Sequence, residues 1–205
     1  MSEQPDDIRS DFPRLRPTTP EPSFGPLIAA LRTVQDLAVS IDAPEDVLAK
    51  ALGHAEELVK LLTPFKAAEG VSTAGRAIEL PGRGSLLMLP WTIDEFGPDG
   101  VRSSGQFSRY HVGGNGAVHG GVLPLVFDDL CGMVTYAAKR GISRTAYLHV
   151  NYRKITPINK PLVVEGRVDR HDGRKTFITG ELRDADGNVL ADCEALMLRL
   201  LPGQP

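Results

Sequence analysis

The chain has 205 residues, of which 41% are hydrophobic and 24% are charged, and its formal net charge is −3. This composition is typical of a soluble globular protein with one domain and an appendage. The acidic balance argues against nucleic acid as a partner, and no apolar run is long enough to cross a bilayer. The N-terminal sequence lacks the basic and apolar regions of a signal peptide. We therefore expect a cytoplasmic protein without integral membrane association.

The N-terminal third divides into an arm and two helices. Residues 1–25 are polar and contain five prolines, a composition that predicts a disordered Pro-rich arm. Beyond them, apolar residues recur at helical spacing. Asp42 and Glu45 then indicate an N-cap and a capping box for a second helix. Residues 26–64 are therefore predicted to form an N-terminal helical extension that packs on the main domain or across a subunit interface.

The main domain, residues 65–205, has the pattern of several strands around one long helix. It starts with a loop that can include a short strand at 71–78. A Pro-Asp-Gly turn at 98–100 and hairpin signals at 171–173 and 184–188 mark the connections. This pattern predicts an α+β fold with the helix against one face of an antiparallel sheet. The predicted helix covers 122–138, and the predicted strands cover 86–93, 101–108, 145–153, 162–170, 175–183 and 189–200.

The predicted helix is apolar on nearly every side, which is typical of a helix buried within a domain. It nevertheless contains Asp128 and Asp129, and an ionised carboxylate out of water is unfavourable unless it is paired or hydrogen-bonded. Consecutive helical residues point about 100° apart, so the two acids face different surroundings. Asp128 shares its face with Gly121 and Gly132, which would let a ligand come close. We therefore assign the chemistry to Asp128 and a structural role to Asp129.

A glycine-rich turn precedes this helix, and its glycines lie on both sides of His119. Glycine permits close approach of the main chain to a ligand. A helix N-terminus also offers unpaired N–H donors and partial positive charge, which would polarise a carbonyl oxygen as an oxyanion hole does. The alternative is a structural glycine turn beside a core histidine.

The two cysteines are predicted to be small core residues. Cys131 falls in the apolar helix and Cys193 in a strand-like alternation, so neither indicates a disulfide or a metal site. The five histidines show no close metal-ligand spacing. We expect no bound metal.

The run His119-Gly120-Gly121, with an acid nine positions after the histidine and a glycine three before it, resembles the PaaI-like acyl-CoA thioesterases of the hotdog superfamily. The resemblance continues through 145–152 and 172–175, where it is most similar to the THEM4 and THEM5 branch. It implies the hotdog fold, in which a curved antiparallel sheet wraps one long central helix. It also implies a homodimer or a dimer of dimers, with active sites at the subunit interface.

The resemblance assigns roles to residues around the turn and the helix. Asp128 either activates a water as a general base or attacks the thioester as a nucleophile, and both routes stay open. The main-chain N–H groups of Gly120 and Gly121 form the oxyanion hole, with Gly120 as the preferred donor. His119 shapes the site or hydrogen-bonds near the carbonyl, unless it is a buried structural histidine. The hydroxyl of Thr145 lies near the catalytic acid, although a strand threonine usually has only a structural role.

One position departs from the PaaI pattern. Many relatives have an asparagine six residues before the histidine, and this chain has Gly113 there. Asn115, displaced by two positions, either supplies that side chain or only serves the turn. Members of the THEM type also lack this asparagine.

The coenzyme A half of the substrate needs cations and polar groups, because it carries phosphates and an amide chain. The resemblance places contacts at Asn151 and around the turn that contains Arg174 and Lys175, and Arg153 and Lys154 follow the central strand. The alternative for these cations is a solvated surface. Apart from coenzyme A as part of the substrate, we expect no cofactor.

Three functions fit this sequence. The leading one is an acyl-CoA thioesterase, a hydrolase of lipid metabolism. The second is a hotdog hydratase or dehydratase for an enoyl or hydroxyacyl thioester, but the aspartate and histidine, or histidine and glutamate, arrangements usual in those families are not found here. The third is a non-catalytic acyl-CoA-binding or sensor protein. Asp128 argues against the third, because a pure binder has little reason to bury an acid beside a polarising turn.

Overall fold

The computed structural model describes residues 17–68, 70–201 and 203. In the N-terminal region, α1 spans Phe24–Ala38 and α2 spans Glu45–Leu62. No helix in these ranges is both long enough and apolar enough to span a membrane. The main domain as described contains the helix α3 (Val122–Ala137) and the strands β1 (Thr92–Gly97), β2 (Gly100–Gly105), β3 (Val112–Gly114), β4 (Ala117–Val118), β5 (Ser143–Tyr152), β6 (Leu162–Asp172), β7 (Lys175–Asp184) and β8 (Val189–Arg199).

Six strands form one sheet in the order β1-β2-β6-β7-β8-β5, and every neighbouring pair is antiparallel. Tight turns join β1 to β2, β6 to β7 and β7 to β8, as the turn signals in the sequence predicted. The strands β3 and β4 form a separate small hairpin. The order of strands leaves β1 and β5 at the two edges of the sheet, and β5 is the longer of these edges.

The helix α3 packs across one face of the sheet. Its residues Phe127 and Leu130 are both 0% exposed. Gly166 on β6 and Gly180 on β7 lie directly against Leu130, and a Cβ atom at these glycines would come within 2.9 and 3.1 Å of the leucine side chain. The missing side chains let the sheet curve closely around the helix. This arrangement confirms the predicted α+β hotdog fold.

The two cysteines lie within this core. Cys131 on α3 and Cys193 on β8 are buried free thiols. A hydrogen bond with Cys193, together with burial, raises the pKa of Cys131 above its usual value. Both residues therefore pack as small apolar side chains, as the sequence predicted.

The segment between α2 and β1 is where the strand predictions are wrong. Residues 71–78 form a series of turns, and the strand predicted at 86–93 begins only with β1. Leu89 and Trp91 are buried in the core, so this apolar run contributes packing without pairing with another strand. Pro90 lies between them and has no N–H to donate to a ladder.

The predicted N-terminal helices are both present, but only α1 docks on the main domain. The Arg32 guanidinium donates to the carbonyl oxygens of Ser85 and Met88 at 2.5 and 2.9 Å. One turn later, Asp36 accepts the main-chain N–H of Tyr110 at 2.8 Å. By contrast, no residue of α2 is buried.

The capping box predicted for α2 is wrong. The N-cap residue is Pro44, which has an extended backbone (φ −67°, ψ 158°) and makes no side-chain capping bond. Its carbonyl oxygen accepts the N–H groups of Val47 and Leu48 at 3.0 and 3.1 Å. Glu45 lies in the first turn, where its charge favours the helix through the helix dipole instead of through a cap.

The predicted arm, residues 1–25, lies mostly outside the described residues. Its described end reaches the main domain, since the N–H of Thr18 donates to the carbonyl of Arg76 at 3.1 Å. The division of the chain at residues 25 and 64 stays a prediction.

Candidate active site

Asp128 lies on a side of α3 that the sheet does not cover, and its side chain is exposed. The prediction of a helix buried on every side is wrong here, because the sheet surrounds the helix only partly. Thr145 Oγ1, on the edge strand β5, donates a hydrogen bond of 2.7 Å to Asp128 Oδ1. The structure thus brings together the acid and the hydroxyl that the resemblance placed beside it.

Asp129 points to another side of α3 and forms an ion pair with Arg83. The guanidinium Nη1 lies 3.0 Å from Asp129 Oδ2, and Nη2 lies 2.5 Å from Oδ1. Both side chains are largely buried, with 18% and 24% of their surface exposed. This paired arrangement satisfies the carboxylate, as expected for a structural neighbour of Asp128.

Sequence reasoning missed Arg83. Its backbone is left-handed, with φ 54°, and the flanking Gly82 and Gly84 are also left-handed, with φ 59° and 71°. An arginine rarely adopts this conformation, and a Gly-Arg-Gly run is the local signal that could have indicated it. The three left-handed residues aim the guanidinium at α3, although 46 positions of sequence separate Arg83 from Asp129.

The glycine-rich turn before α3 is held by four hydrogen bonds. The His119 N–H donates to the carbonyl of His111 at 2.8 Å, and the His119 carbonyl accepts the N–H of Val122 at 2.9 Å. The Gly121 N–H donates to His119 Nδ1 at 3.0 Å. The hydroxyl of Tyr152, on β5, donates to the Gly120 carbonyl at 2.8 Å. The peptide unit between the two glycines is therefore fixed through both its N–H and its carbonyl.

These bonds distinguish the two predicted oxyanion donors. The N–H of Gly121 is engaged with the imidazole of His119, whereas the N–H of Gly120 has no hydrogen-bond partner among the described residues. His119 is exposed in this chain, which differs from the buried core histidine of the alternative interpretation. Its Nδ1 accepts a hydrogen bond here, so the neutral ring carries its proton on Nε2.

Asn115 lies in the turn between β3 and β4. Asn115 and Gly116 have φ of 49° and 71°, the conformation of a two-residue Asn-Gly hairpin turn. At Gly113, a Cβ atom would come within 2.7 Å of the His119 Cα. A side chain at 113 would therefore clash with the main chain of the turn, which explains why this position departs from the asparagine of the PaaI pattern.

Three residues predicted to bind coenzyme A lie at the end of β5 and already contact other side chains. Asn151 Nδ2 donates to Asp192 Oδ1 at 2.8 Å, and Arg153 Nε lies 2.5 Å from Asp192 Oδ2. The hydrogen bond from Arg153, followed by that from Asn151, holds the pKa of Asp192 below its usual value despite partial burial. Lys154 Nζ donates to Asn188 Oδ1 at 2.9 Å.

The other two predicted cations, Arg174 and Lys175, lie at the turn between β6 and β7. Lys175 Nζ is 3.8 Å from Asp172 Oδ2. The strands β5 and β7 lie on either side of β8, and the start of β7 is level with the Thr145 end of β5. Lys175 therefore lies two strand spacings, roughly 10 Å, from that end of β5. Arg153 is eight residues from Thr145, or roughly 26 Å along the strand. The predicted cations therefore form two groups at opposite ends of β5.

A groove of about 730 Å³ opens beside Asp128 and is here named the Asp128 groove. It lies between α3, the loop at 75–83 and the edge strands β1 and β5. Both apolar side chains and charged groups line it. The apolar lining includes Ile78, Ile93, Phe96, Met133 and Met197.

A second groove, of about 760 Å³, lies between α1 and the beginning of α3 and is here named the α1 groove. A leucine-rich segment at 80–90 and the segment at 108–111 complete its walls. Its apolar lining includes Ile28, Leu80, Leu86, Leu87, Val122 and Leu125. A large, mostly apolar groove with a few polar groups is the usual form of a small-molecule site.

Residues 115–191 match the family model described as the thioesterase superfamily. The resemblance to this superfamily is confirmed. The matched segment starts in the turn before His119 and ends in β8, so it contains α3, β5 and every predicted site residue.

Proteins with similar sequences are named acyl-coenzyme A thioesterases. The acyl-coenzyme A thioesterase THEM4 of Rattus norvegicus is 32% identical over 91 residues, which is 44% of this chain and 39% of that protein. THEM4 of Bos taurus is 29% identical over 98 residues, which is 47% of this chain and 40% of that protein. The match thus spans about two fifths of the length of these curated relatives.

Solved structures share the fold. The thioesterase superfamily protein RHA08564 aligns with a TM-score of 0.75 and 24% identity, over 89% of this chain and 97% of that one. A hypothetical thioesterase from Streptococcus pneumoniae, solved with coenzyme A, aligns with a TM-score of 0.51 and 17% identity, over 53% of this chain and 86% of that one.

Proposed function

We propose that this protein is an acyl-CoA thioesterase that hydrolyses an acyl-CoA to the free acid and coenzyme A. The observation that carries the proposal is the exposed Asp128 carboxylate, held by the Thr145 hydroxyl at 2.7 Å beside a large groove. The acyl-coenzyme A thioesterase name of the THEM4 relatives supports it. So does the coenzyme A in the S. pneumoniae thioesterase structure. Such an activity would belong to lipid metabolism, and a cytoplasmic location stays a prediction.

One copy of the chain does not bring both the oxyanion donor and the catalytic carboxylate to a single carbonyl. Gly120 lies two residues before α3 and Asp128 is the seventh residue of α3, so their main-chain positions are on the order of 10 Å apart along the helix axis. An oxyanion donor and the attacking group must both lie about 3 Å from the reacting atoms. The Gly120 N–H and the Asp128 carboxylate of one chain are therefore too far apart to act on the same thioester.

A second copy would supply the missing half. Within the part of the chain that the structure describes, the outer side of the edge strand β5 pairs with no other strand, and an unpaired edge is a template for pairing with another strand. A two-fold axis through the middle of β5 would place the Thr145 end of one strand beside the Tyr152 end of the other. The Asp128 carboxylate of one copy would then approach the Gly120 N–H of its partner. The assembly is a homodimer or a dimer of such dimers, with its active sites at the interface.

The same symmetry would bring together the two groups of predicted cations. Arg153 and Lys154 of one copy would approach Arg174 and Lys175 of the other, because the two groups lie at opposite ends of β5. The phosphates of coenzyme A need several cations, and Asn151 offers an amide for the polar chain. Lys154 contacts a neutral amide and Lys175 a carboxylate at 3.8 Å, so both charges can also serve a phosphate.

In the proposed reaction, the thioester oxygen accepts a hydrogen bond from the Gly120 N–H, and the acyl carbon is attacked on the Asp128 side. Asp128 either removes a proton from a water that adds to the acyl carbon, or attacks the carbon directly to form an acyl-aspartate anhydride, which water then hydrolyses to the free acid and the Asp128 carboxylate. Thr145 donates to Oδ1 and leaves Oδ2 available for either role. Loss of one oxyanion donor costs about 2.7 to 4 kcal/mol of transition-state stabilisation in other enzymes. Coenzyme A leaves as the thiolate and takes up a proton.

Release of free thiol from short, medium, long and aromatic acyl-CoAs tests this function. Asp128→Asn should abolish most turnover and keep the fold, because asparagine has nearly the shape of aspartate. Glu56→Gln, an equally conservative change on the exposed surface of α2, should leave turnover unchanged. Full activity of Asp128→Asn would remove this residue from the mechanism. Tight binding without turnover in the parent would favour a non-catalytic acyl-CoA-binding protein.

A further inference from the structure

The α1 groove has no role in the chemistry above, although its lining includes Val122, two residues after the predicted oxyanion donor Gly120. We propose that the acyl chain of the substrate lies in the α1 groove, and that α1 thereby determines which chain lengths are hydrolysed. This inference rests on the proposed thioesterase function. It assigns a substrate-binding role to the N-terminal helical extension, which lies outside the segment that matches the thioesterase superfamily.

The position of the groove fits a chain attached to the reacting carbonyl. Its floor contains Val122 and Leu125, which lie on one face of the first turn of α3. Val122 is only two residues beyond Gly120, whose N–H would bind the thioester oxygen. An acyl chain that runs from the carbonyl carbon toward α1 would therefore pass along Val122 into the groove.

The chemistry of the groove fits an uncharged chain. Arg32 and Asp36 are its two charged residues, and each bonds to main-chain groups of the main domain. His111 Nδ1 interacts with the hydroxyl and N–H of Ser108 at 3.0 and 3.1 Å. Burial lowers the pKa of His111, which favours the neutral ring. The Arg32 Nη2 atom, the Asp36 carboxylate and the His111 ring thus already have partners within the protein, whereas Arg32 Nε is buried without a hydrogen-bond partner among the described residues.

The Asp128 groove is a less suitable site for the chain. Three arginines and three carboxylates line it, including the ion pair between Arg83 and Asp129. An apolar chain placed there would remove water from charged groups at an energetic cost. The remaining charged groups around that groove are Arg76, Glu79, Asp128 and Arg144.

The size and exposure of the α1 groove also support an occupant. Its volume of about 760 Å³ lies within the usual range for small-molecule sites. Leu87, on its wall, is 68% exposed, and large apolar side chains gathered around a groove favour an apolar ligand. The three hydrogen bonds of Arg32 and Asp36, residues one turn apart, hold α1 in place over this space.

A matched pair of substitutions on α1 tests the proposal. Ala29 lines the groove, whereas its neighbour Ala30 is exposed and does not. Ala29→Trp should fill the groove and lower kcat/KM for palmitoyl-CoA by roughly ten-fold or more, while kcat/KM for acetyl-CoA stays within about two-fold. Ala30→Trp should leave both values within about two-fold of the parent. The retained acetyl-CoA turnover shows that Ala29→Trp is folded.

Equal effects of Ala29→Trp on both substrates, or no effect on either, would overturn the assignment of the groove. A parent that hydrolyses no acyl-CoA would instead overturn the proposed function. In that case, palmitate binding to the two variants, measured by calorimetry, tests whether the groove binds an acyl chain independently of hydrolysis. Weaker binding by Ala29→Trp than by Ala30→Trp supports the site, and equal binding contradicts it.

Discussion

Two hydroxyl groups near opposite ends of β5 each hold one part of the proposed chemistry. Thr145 donates to the Asp128 carboxylate at 2.7 Å, and Tyr152 donates to the Gly120 carbonyl at 2.8 Å. Neither hydroxyl would react with the substrate. Each fixes the direction of a group that would, and such pre-organisation is worth most where charge develops in the transition state.

Thr145→Val removes one of these hydroxyls and keeps a β-branched side chain in the strand. The Asp128 carboxylate then loses a hydrogen bond to a charged acceptor, and such bonds contribute about 1.5 to 3 kcal/mol. We expect kcat to fall by roughly 10- to 100-fold in steady-state hydrolysis of an acyl-CoA. Thr179→Val, on the face of β7 away from α3, should have no effect. An unchanged kcat in Thr145→Val would contradict a role for this contact.

Tyr152→Phe removes the other hydroxyl and keeps the ring. The Gly120 carbonyl loses a neutral hydrogen bond, so the neighbouring peptide units are less firmly oriented. We expect kcat to fall by roughly 3- to 10-fold with little change in KM. The control is Tyr147→Phe, an exposed tyrosine on the same strand. A higher KM with an unchanged kcat would show that Tyr152 binds substrate and does not position the turn.

At the scale of single residues, the acid, the turn and the hydroxyl of Thr145 were predicted from the sequence, because they belong to a short motif and to a family resemblance. It did not predict Arg83 or Tyr152. Their contacts with Asp129 and Gly120 join residues 46 and 32 positions apart, and no periodic pattern encodes such a contact. The clash that excludes a side chain at Gly113 likewise becomes visible only when the turn has folded.

Among the elements, α3 and α2 are both regular helices, but they contribute to stability in different ways. α3 lies inside the curved sheet and has eight buried residues, whereas α2 has none. On α2, Leu52 and Val59 are 60% and 65% exposed. The hydrophobic effect therefore stabilises α3 much more than α2 within a single chain.

A pair of leucine truncations measures this difference. Leu130→Ala, in the centre of the core, should lower the free energy of unfolding by about 2 to 5 kcal/mol. Leu52→Ala, on the exposed side of α2, should change it by less than about 0.5 kcal/mol. Urea unfolding followed by circular dichroism gives both values. A loss above about 1.5 kcal/mol for Leu52→Ala would mean that another surface covers α2 in solution.

The elements with strong local signals were predicted most closely. β6, β7 and β8 differ from their predicted bounds by one or two residues, because alternating side chains and hairpin turns mark them. The apolar run before β1 was placed wrongly in a strand, since packing against the core and pairing in a sheet both select apolar residues. The N-cap of α2 was wrong because the helix begins only after Pro44, so Asp42 lies outside it and Glu45 lies in its first turn.

For the whole molecule, the proposal depends on two copies acting together. Gly120 precedes α3 and Asp128 lies almost two turns into it, so their main-chain positions are on the order of 10 Å apart along the helix axis. An antiparallel partner is what would bring the Gly120 N–H of one copy to the Asp128 carboxylate of the other. The sequence motif contains both residues within nine positions and so conceals their separation. Helical geometry shows why the motif alone is not a complete active site.

The most direct test is a heterodimer of two variants that are each inactive alone. Asp128→Asn lacks the proposed acid, and Gly120→Pro lacks the main-chain N–H. Each homodimer should be nearly inactive, with circular dichroism confirming the fold. Co-expression with two different affinity tags and sequential purification isolates the mixed species. The account predicts about half of the parental thioesterase activity, because one of the two composite sites is intact. A heterodimer no more active than either homodimer would contradict a site built from two chains.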